Sequence, residues 1–140
     1  MIWLPTKVLE GGKAPERKTA GAAGLDCYVR GRHRVLPHTT VKIPLGVAMA
    51  IPRAHAGLLV LRSSIAAGGR LFAPAVGVID SDYRSELHAI VTAGDEEVYI
   101  GDGERISQLV VVSTPRCVVH EVESLDETER GSGGFGSTGK

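Results

Sequence analysis

The chain alternates short apolar runs with turn-forming residues through most of its length. Each run is four to seven residues long, rich in Val, Ile and Leu, and bounded by Pro, Gly, Asp or Ser, which is the pattern of β-strands. The runs cover residues 40–43, 47–51, 57–61, 87–91, 97–100, 106–112 and 117–122. Apolar residues nowhere keep a helical spacing for three turns. The pattern therefore predicts an all-β fold of the sandwich, jelly-roll or barrel kind.

The two ends of the chain depart from this pattern. The first twenty or so residues are mostly polar and predict a loop that enters the fold. Residues 130–140 carry a single apolar side chain, Phe135, in eleven positions. Such a segment cannot bury enough apolar surface to order itself. We therefore predict a β-rich domain over residues 1–124 and a flexible C-terminal arm over 125–140, ordered only by a ligand or a neighbouring chain.

The charge balance narrows the range of partners. The 140 residues include 16 basic and 16 acidic side chains, so the formal net charge is zero. This balance disfavours direct nucleic-acid binding and attachment to a membrane surface, which both need concentrated positive charge. The sequence contains neither an apolar run long enough to span a membrane nor a secretory signal. We expect a soluble, cytoplasmic protein, or one inside the host cell if it is viral.

The two cysteines and five histidines do not form a metal-binding pattern. Cys27 and Cys117 are too few for a disulfide framework and do not form a CxxC pair. The expectation for both is a buried, reduced thiol.

Residues 77–87 are the first stretch that could carry chemistry. An apolar pair places Asp80 at the end of a predicted strand, followed at once by Asp82, Tyr83 and Arg84. A carboxylate held there can orient a water molecule as a general base, although acidic residues at a turn also serve simply as turn formers. Tyr83 is either a packed aromatic or a platform for a sugar ring. Spacing alone does not decide between a general base and a turn former at Asp80. It also does not decide between a packed aromatic and a sugar platform at Tyr83.

Two further stretches suit anions. Arg62, Ser63 and Ser64 follow a predicted strand and form either a capped helix start, with Ser63 or Ser64 as the N-cap, or a phosphate contact. Residues 134–140 match the spacing of a P-loop, but the chain stops where a P-loop needs a Ser or Thr and a helix. The Gly-rich backbone, its hydroxyls and Arg130 still suit the wrapping of an anion, and Phe135 could stack on a base.

Five stretches, in order, resemble the five motifs of the homotrimeric dUTPase family. They are 23–28 (AGLDCY), 61–66 (LRSSIA), 77–86 (GVIDSDYRSE), 103–109 (GERISQL) and 130–139 (RGSGGFGSTG). The resemblance runs from about residue 20 to the C-terminus. It implies a jelly-roll-like (β-clip) subunit that assembles as a homotrimer with active sites at the subunit interfaces. The implied reaction is hydrolysis of dUTP to dUMP and pyrophosphate, which limits uracil in DNA and supplies dUMP for thymidylate synthesis.

The resemblance also implies catalytic roles. Asp80 matches the general base that activates a water molecule for attack on the α-phosphorus, and Gln108 matches the residue that helps to hold this water. The cofactor implied is Mg²⁺, bound mainly by the substrate's phosphates. Asp26 either reaches this metal through water or pairs with Arg105, and the sequence leaves that choice open.

Substrate contacts follow from the same likeness. Arg62, Ser63 and Ser64 match phosphate-contacting residues. The hairpin over about 73–83, including Val76 and Gly77, matches the element that recognises uracil through its backbone.

Tyr83 matches the residue packed under deoxyribose, where it would reject UTP. In the arm, Arg130 matches the partner of the γ-phosphate and Phe135 the residue that stacks on uracil. The residues that would wrap the phosphates are Gly136, Ser137 and Thr138.

Three positions depart from the common family pattern. Pro74 stands where many relatives have Asn, Ser85 where Gly is usual, and Ser107 where Ala is usual. None removes a catalytic group, so they bear on affinity and fine specificity. The alternatives are a dCTP deaminase of the same fold, which the intact Asp80 hairpin and the Gly-rich arm disfavour, and a regulatory binding protein.

Overall fold

The computed structural model describes residues 1–134, which form eleven β-strands and one five-residue helix. Within that range no helix has the length and apolar character needed to cross a bilayer. The elements are β1 Thr6–Val8, β2 Leu25–Cys27, β3 His33–Val35, β4 Thr40–Pro44, β5 Val47–Met49, β6 His55–Leu61, α1 Ser63–Ala67, β7 Leu71–Phe72, β8 Gly77–Ile79, β9 His88–Ala93, β10 Val98–Ile100 and β11 Ser107–Ser113. The all-β prediction is confirmed.

The strands form small antiparallel sheets. A four-stranded sheet has the order β2-β11-β6-β8 and a three-stranded sheet has the order β4-β9-β7, while β1 pairs with β5 and β10 with β3. Four of the five family-like stretches lie on or beside the strands of the four-stranded sheet. Its long pair is β6–β11, aligned over seven residues from Ser107 opposite Leu61 to Ser113 opposite His55.

Alternation along the strands explains the core. In β9, Ala89, Val91 and Ala93 are buried while Ile90 faces outward, because successive side chains of a strand point to opposite faces. The buried side chains come from strands of all the sheets, among them Cys27, Val35, Val47, Val91 and Leu109. These strands therefore enclose one shared core.

The cysteine expectation holds for one residue and fails for the other. Cys27 is fully buried, and burial raises the pKa of its thiol to about 12, so this thiol stays protonated. Cys117 is exposed, which makes the prediction of a buried thiol wrong there.

Two other local predictions are wrong. The N-terminal segment predicted to be a loop contains β1, whose pairing with β5 supplies the backbone hydrogen bonds that its own sequence does not signal. Residues 117–122, predicted as a strand, are not in regular structure; Val118 and Val119 are 83% and 94% exposed. A strand needs a partner for its backbone groups, and no strand within residues 1–134 lies beside this segment.

Candidate functional site

Asp26 lies at the centre of a cluster of charged residues on the four-stranded sheet. Its Oδ2 is 3.3 Å from Nε of Arg62 and 3.1 Å from Nη1 of Arg105. Arg62 also donates from Nη1 to the backbone oxygen of Arg105 at 3.2 Å. Asp26 is only 8% exposed, so the two guanidinium groups provide the partners that a buried carboxylate requires. Of the alternatives that the sequence leaves open, pairing with Arg105 is realised, and Arg62 joins it.

The cluster keeps a positive charge although the whole chain is neutral. Two guanidinium groups face one carboxylate, which leaves one net positive charge at this point of the sheet. Both arginines are partly buried, so their side chains are held in place by Asp26 rather than free in solvent. The arrangement suits an anion, because a fixed guanidinium donates charge-assisted hydrogen bonds with little reorganisation.

Ser63 and Ser64 follow Arg62 directly and begin α1. The residue at the N-cap is Arg62, whose backbone is extended, and it makes no side-chain cap bond. The interpretation of Ser63 or Ser64 as the N-cap is therefore wrong. Both serines are exposed, so their hydroxyls are accessible beside the guanidinium of Arg62.

Gln108 shares a sheet face with Asp26. In the antiparallel register of β11, Gln108 lies opposite Asp26 on one side and opposite Val60 on the other. Directly opposite residues place their side chains on the same face. The structure therefore brings together the second- and fourth-motif candidates with Asp26 of the first.

The candidates from the third motif line a separate cavity. It has a volume of about 450 Å³ and is lined by Val76, Gly77, Asp80 and Tyr83 together with residues of β6, β9 and Ser107. This size falls within the range of small-molecule sites. Asp80 is exposed, which leaves its carboxylate open to water and ligand.

Hydrogen bonds fix the turn that follows β8 and begins at Asp80. The segment predicted as a hairpin, about 73–83, contains one strand, β8, which pairs with β6. The backbone N–H of Tyr83 donates to the carbonyl of Asp80 at 3.2 Å. The Tyr83 hydroxyl donates to the carbonyl of Glu86 at 3.0 Å. The phenol ring is thereby tied to the residue that ends the third motif.

Glu86 is a supporting residue whose role sequence reasoning missed. Arg30 donates to it from Nε at 2.9 Å and from Nη2 at 2.7 Å, and the backbone N–H of Gly46 donates at 2.9 Å. Burial raises the pKa of this carboxyl, but these hydrogen bonds outweigh burial and hold the pKa below its ordinary value. The only signal in the sequence was that Glu86 ends the third family-like stretch and that Arg30, 56 residues earlier, follows shortly after the first.

The two groups of candidates lie apart within one chain. Ile79 pairs with Gly57, so Asp80 is level with Ala56, whereas Gln108 is level with Val60. Four residues along the strands correspond to roughly 13 Å, and two strand spacings to about 10 Å across the sheet. Asp80 and Gln108 of one chain therefore cannot hold the same water molecule.

The arm is only partly within the described residues. Arg130 is exposed, and turns follow it, with Gly131 N–H donating to the Thr128 carbonyl at 3.0 Å and Gly133 N–H to the Arg130 carbonyl at 2.9 Å. The predicted contact residues Phe135, Gly136, Ser137 and Thr138 lie outside residues 1–134. Regular structure ends with β11 at Ser113, so the boundary at 124/125 stays a prediction.

The three unusual positions have different surroundings. Pro74 lines the cavity. Among the non-glycine residues of 1–134, only His38 and Ala54 have positive φ, so the conformation at Ser85 suits a side chain. Ser107 is 1% exposed and its hydroxyl has no hydrogen-bond partner in that range.

The side chains within residues 1–134 bear on the predicted Mg²⁺ site. Within residues 1–134, nowhere do three or more His, Cys, Asp or Glu side chains gather closely enough to hold a metal ion. The predicted metal contact, Asp26, is a single carboxylate already paired with two arginines. It could serve a metal only through water, with most ligands coming from elsewhere.

Comparisons with known proteins agree with these features. The family model for dUTPase matches residues 10–139. The deoxyuridine 5'-triphosphate nucleotidohydrolase of Desulfitobacterium hafniense (strain DSM 10664 / DCB-2) is 43% identical over 132 residues, covering 91% of this chain and 87% of the relative. The enzyme of the same name from Syntrophotalea carbinolica is 41% identical over 129 residues, covering 89% and 88%.

The fold is shared with solved structures. The dUTPase of Staphylococcus bacteriophage 80alpha, determined with dUpNHpp, superimposes with a TM-score of 0.92 at 27% sequence identity, and the alignment covers 100% of both chains. The fold of this chain is therefore that of the phage dUTPase.

Proposed function

This chain belongs to the dUTPase family, and we propose that its Asp26 cluster and its Asp80 turn are the two halves of a site that hydrolyses dUTP. The family's activity is the conversion of dUTP to dUMP, and this is the function of the chain. The observation that carries the residue-level proposal is that the family-like motifs converge on two built sites: a fixed positive cluster and a cavity with a carboxylate. Removal of dUTP limits uracil in DNA, and dUMP feeds thymidylate synthesis.

Asp80 is proposed as the general base. Its carboxylate accepts a proton from water as the water oxygen forms a bond to the α-phosphorus. The bond from this phosphorus to the bridging oxygen breaks, and pyrophosphate leaves with the electron pair. The Gln108 amide holds the same water, so the nucleophile is oriented from two sides.

The positive cluster is proposed to bind the phosphates. Asp26 fixes the Arg62 guanidinium by the 3.3 Å contact, and the accessible hydroxyls of Ser63 and Ser64 lie next to it in the chain. Preorganised donors are effective where charge develops on the leaving group. Arg130 is proposed to bind the γ-phosphate from the arm.

Mg²⁺ is proposed as the cofactor. Bound to the triphosphate, it would neutralise charge and polarise the phosphorus. The described residues would suit an ion held mainly by substrate oxygens and waters, which Asp26 would reach only through water, because Mg²⁺ commonly retains several waters. Catalysis should then require added Mg²⁺ and stop with a chelator.

The cavity beside β8 and the turn that follows it is proposed to bind the nucleoside. Val76 and Gly77 present backbone donors and acceptors to uracil, where a 5-methyl group would meet the wall. Tyr83 lies under the deoxyribose, with its hydroxyl held by the Glu86 carbonyl. A ring fixed in this way leaves no room for a 2′-hydroxyl.

A homotrimer is proposed because one chain keeps the two halves apart. The register separates Asp80 from Gln108 by four residues along the sheet and by two strands across it. A cyclic assembly can place the Asp80 turn of one subunit against the positive cluster of the next. The site is then complete only at a subunit interface.

Co-expression of two impaired variants tests this arrangement. We expect Asp80→Asn and Gln108→Ala subunits, each strongly impaired alone, to give about one quarter of wild-type activity when mixed, since one interface in four then has both intact groups. Activity should be measured on the purified mixed oligomer, with its mass from light scattering. A control carrying both substitutions in every chain stays inactive. No recovery in a verified mixed oligomer would mean that both groups act from the same chain.

A substrate panel tests the function itself. The protein, with Mg²⁺, should release pyrophosphate from dUTP but not from dCTP, dTTP or UTP. Ammonia from dCTP would identify a deaminase. Binding of dUpNHpp without turnover of any nucleotide would favour a regulatory binding protein.

A further inference from the structure

We infer that Gly24 is a positioning residue for catalysis: its missing side chain leaves the space in which the Gln108 amide sits. The inference rests on the proposed role of Gln108 in holding the water. Gly24 itself touches neither water nor substrate in this proposal. It acts only through where it allows Gln108 to lie.

The strand register brings the two residues together. Gln108 is directly opposite Asp26, and Gly24 is two residues before Asp26, which makes it the diagonal neighbour on the same face. A Cβ on Gly24 would lie 2.7 Å from Oε1 of Gln108, 3.2 Å from its Cδ and 3.3 Å from its Cβ. The Gln108 side chain thus covers Gly24, which is buried.

The need for glycine here is one of space, not of backbone conformation. The glycines of residues 1–134 with positive φ are Gly11, Gly31, Gly46, Gly69, Gly103 and Gly131. Gly24 is not among them, so its backbone would accept an L side chain. What excludes a side chain at Gly24 is the contact with Gln108.

Packing alone sets the position of the Gln108 amide. Within residues 1–134 its side chain makes no hydrogen bond, whereas the neighbouring Asp26 is held by two arginines. No competing bond therefore resists a displacement. A methyl group at Gly24 would move Oε1 by about 0.7 Å to reach ordinary contact at 3.4 Å, and misplacement of about 1 Å can cost on the order of 100-fold in rate.

A second tightly packed glycine shows why the effect should fall on rate rather than on folding. A Cβ on Gly12 would meet the backbone oxygen of Gly46 at 2.1 Å, and main chain cannot yield without moving the loop. At Gly24 the nearest atom is the end of a flexible side chain. The fold can therefore accommodate a methyl group at Gly24, whereas the Gln108 amide would be displaced.

The experiment is a double-mutant cycle on the full chain with dUTP and Mg²⁺. We expect Gly24→Ala to lower kcat by about 10- to 100-fold, with KM changed less than about threefold. Gly21→Ala is the matched control, because nothing lies within 4 Å of a Cβ there, and its kcat should equal that of the wild type. In the Gln108→Ala background, Gly24→Ala should lower kcat no further, since the two changes remove the same interaction. Circular dichroism and thermal denaturation check that each variant folds.

Each outcome of the experiment supports or overturns the inference about Gly24. Normal kcat in Gly24→Ala overturns the inference, and so does a further loss in the Gln108→Ala background, since Gly24 would then act by another route. If Gln108→Ala alone keeps its rate, the proposed role of Gln108 fails first and the inference falls with it. If Gly24→Ala does not fold but the Gly24→Ala/Gln108→Ala double variant does, the result supports competition of the two side chains for one space. If neither variant folds, the inference is overturned.

Discussion

Asp80→Asn should lower kcat for dUTP by about 100- to 10,000-fold, the range that a general base contributes. The amide keeps the shape of the carboxyl but cannot accept the proton of the attacking water. Asp80 is exposed at the end of β8 and makes no side-chain hydrogen bond within residues 1–134, so the fold does not depend on its charge. Affinity for dUpNHpp should therefore stay within a few-fold of wild type. Single-turnover assays and analogue titration measure the two quantities separately.

The turn that begins at Asp80 also contains the control for this prediction. Asp82 is an exposed carboxylate two residues away in the same turn, and Asp82→Asn removes the same charge from the same loop. Its kcat should stay close to that of the wild type. Retained turnover in Asp80→Asn, or an equal loss in Asp82→Asn, would show that Asp80 is not the base.

Truncation before Arg130 should lower turnover by at least about 100-fold, comparable to the loss of a single preorganised donor or more. The missing segment contains Arg130 and the predicted contact residues Phe135, Gly136, Ser137 and Thr138. Because β11 ends at Ser113, the strands and their core lie outside the deletion. Thermal denaturation and light scattering should therefore find the fold and the assembly unchanged while pyrophosphate release falls.

A smaller deletion controls for the removal of chain as such. A variant lacking only Lys140 keeps the whole fifth family-like motif and should turn over normally. The proposal that the arm binds the substrate fails if the long truncation keeps a near-normal rate. It also fails if the truncated chain loses its assembly, because the lost rate would then reflect the interface rather than contacts between the arm and the substrate.

The strands were predictable because their signal is local. Residues 57–61 and 106–112 alternate or run apolar between breakers, and they became β6 and β11 within a residue or two. Residues 117–122 carry the same signal and form no strand, because pairing depends on a partner elsewhere. β1 is the converse case, in which a weak local pattern gains structure from β5.

The sequence proposed candidate site residues but not their arrangement. The motifs singled out Arg62, Asp80 and Gln108 as candidates through the family resemblance. They left the partner of Asp26 open, assigned no role to Glu86 and gave no reason for Gly24. Each of these depends on a contact between distant parts of the chain.

The sequence by itself determined an all-β chain with five family-like motifs, a Gly-rich arm and a net charge of zero, because composition, periodicity and motif order are properties of neighbouring residues. Only the tertiary structure decided that Asp26 pairs with Arg62 and with Arg105, which is 79 residues away. It also decided that Arg30 binds Glu86 through two hydrogen bonds. Finally, it decided that Asp80 and Gln108 lie apart within one chain. The physical reason is strand register. A shift of one residue reverses which side chains share a face, and nothing local to either strand fixes that shift.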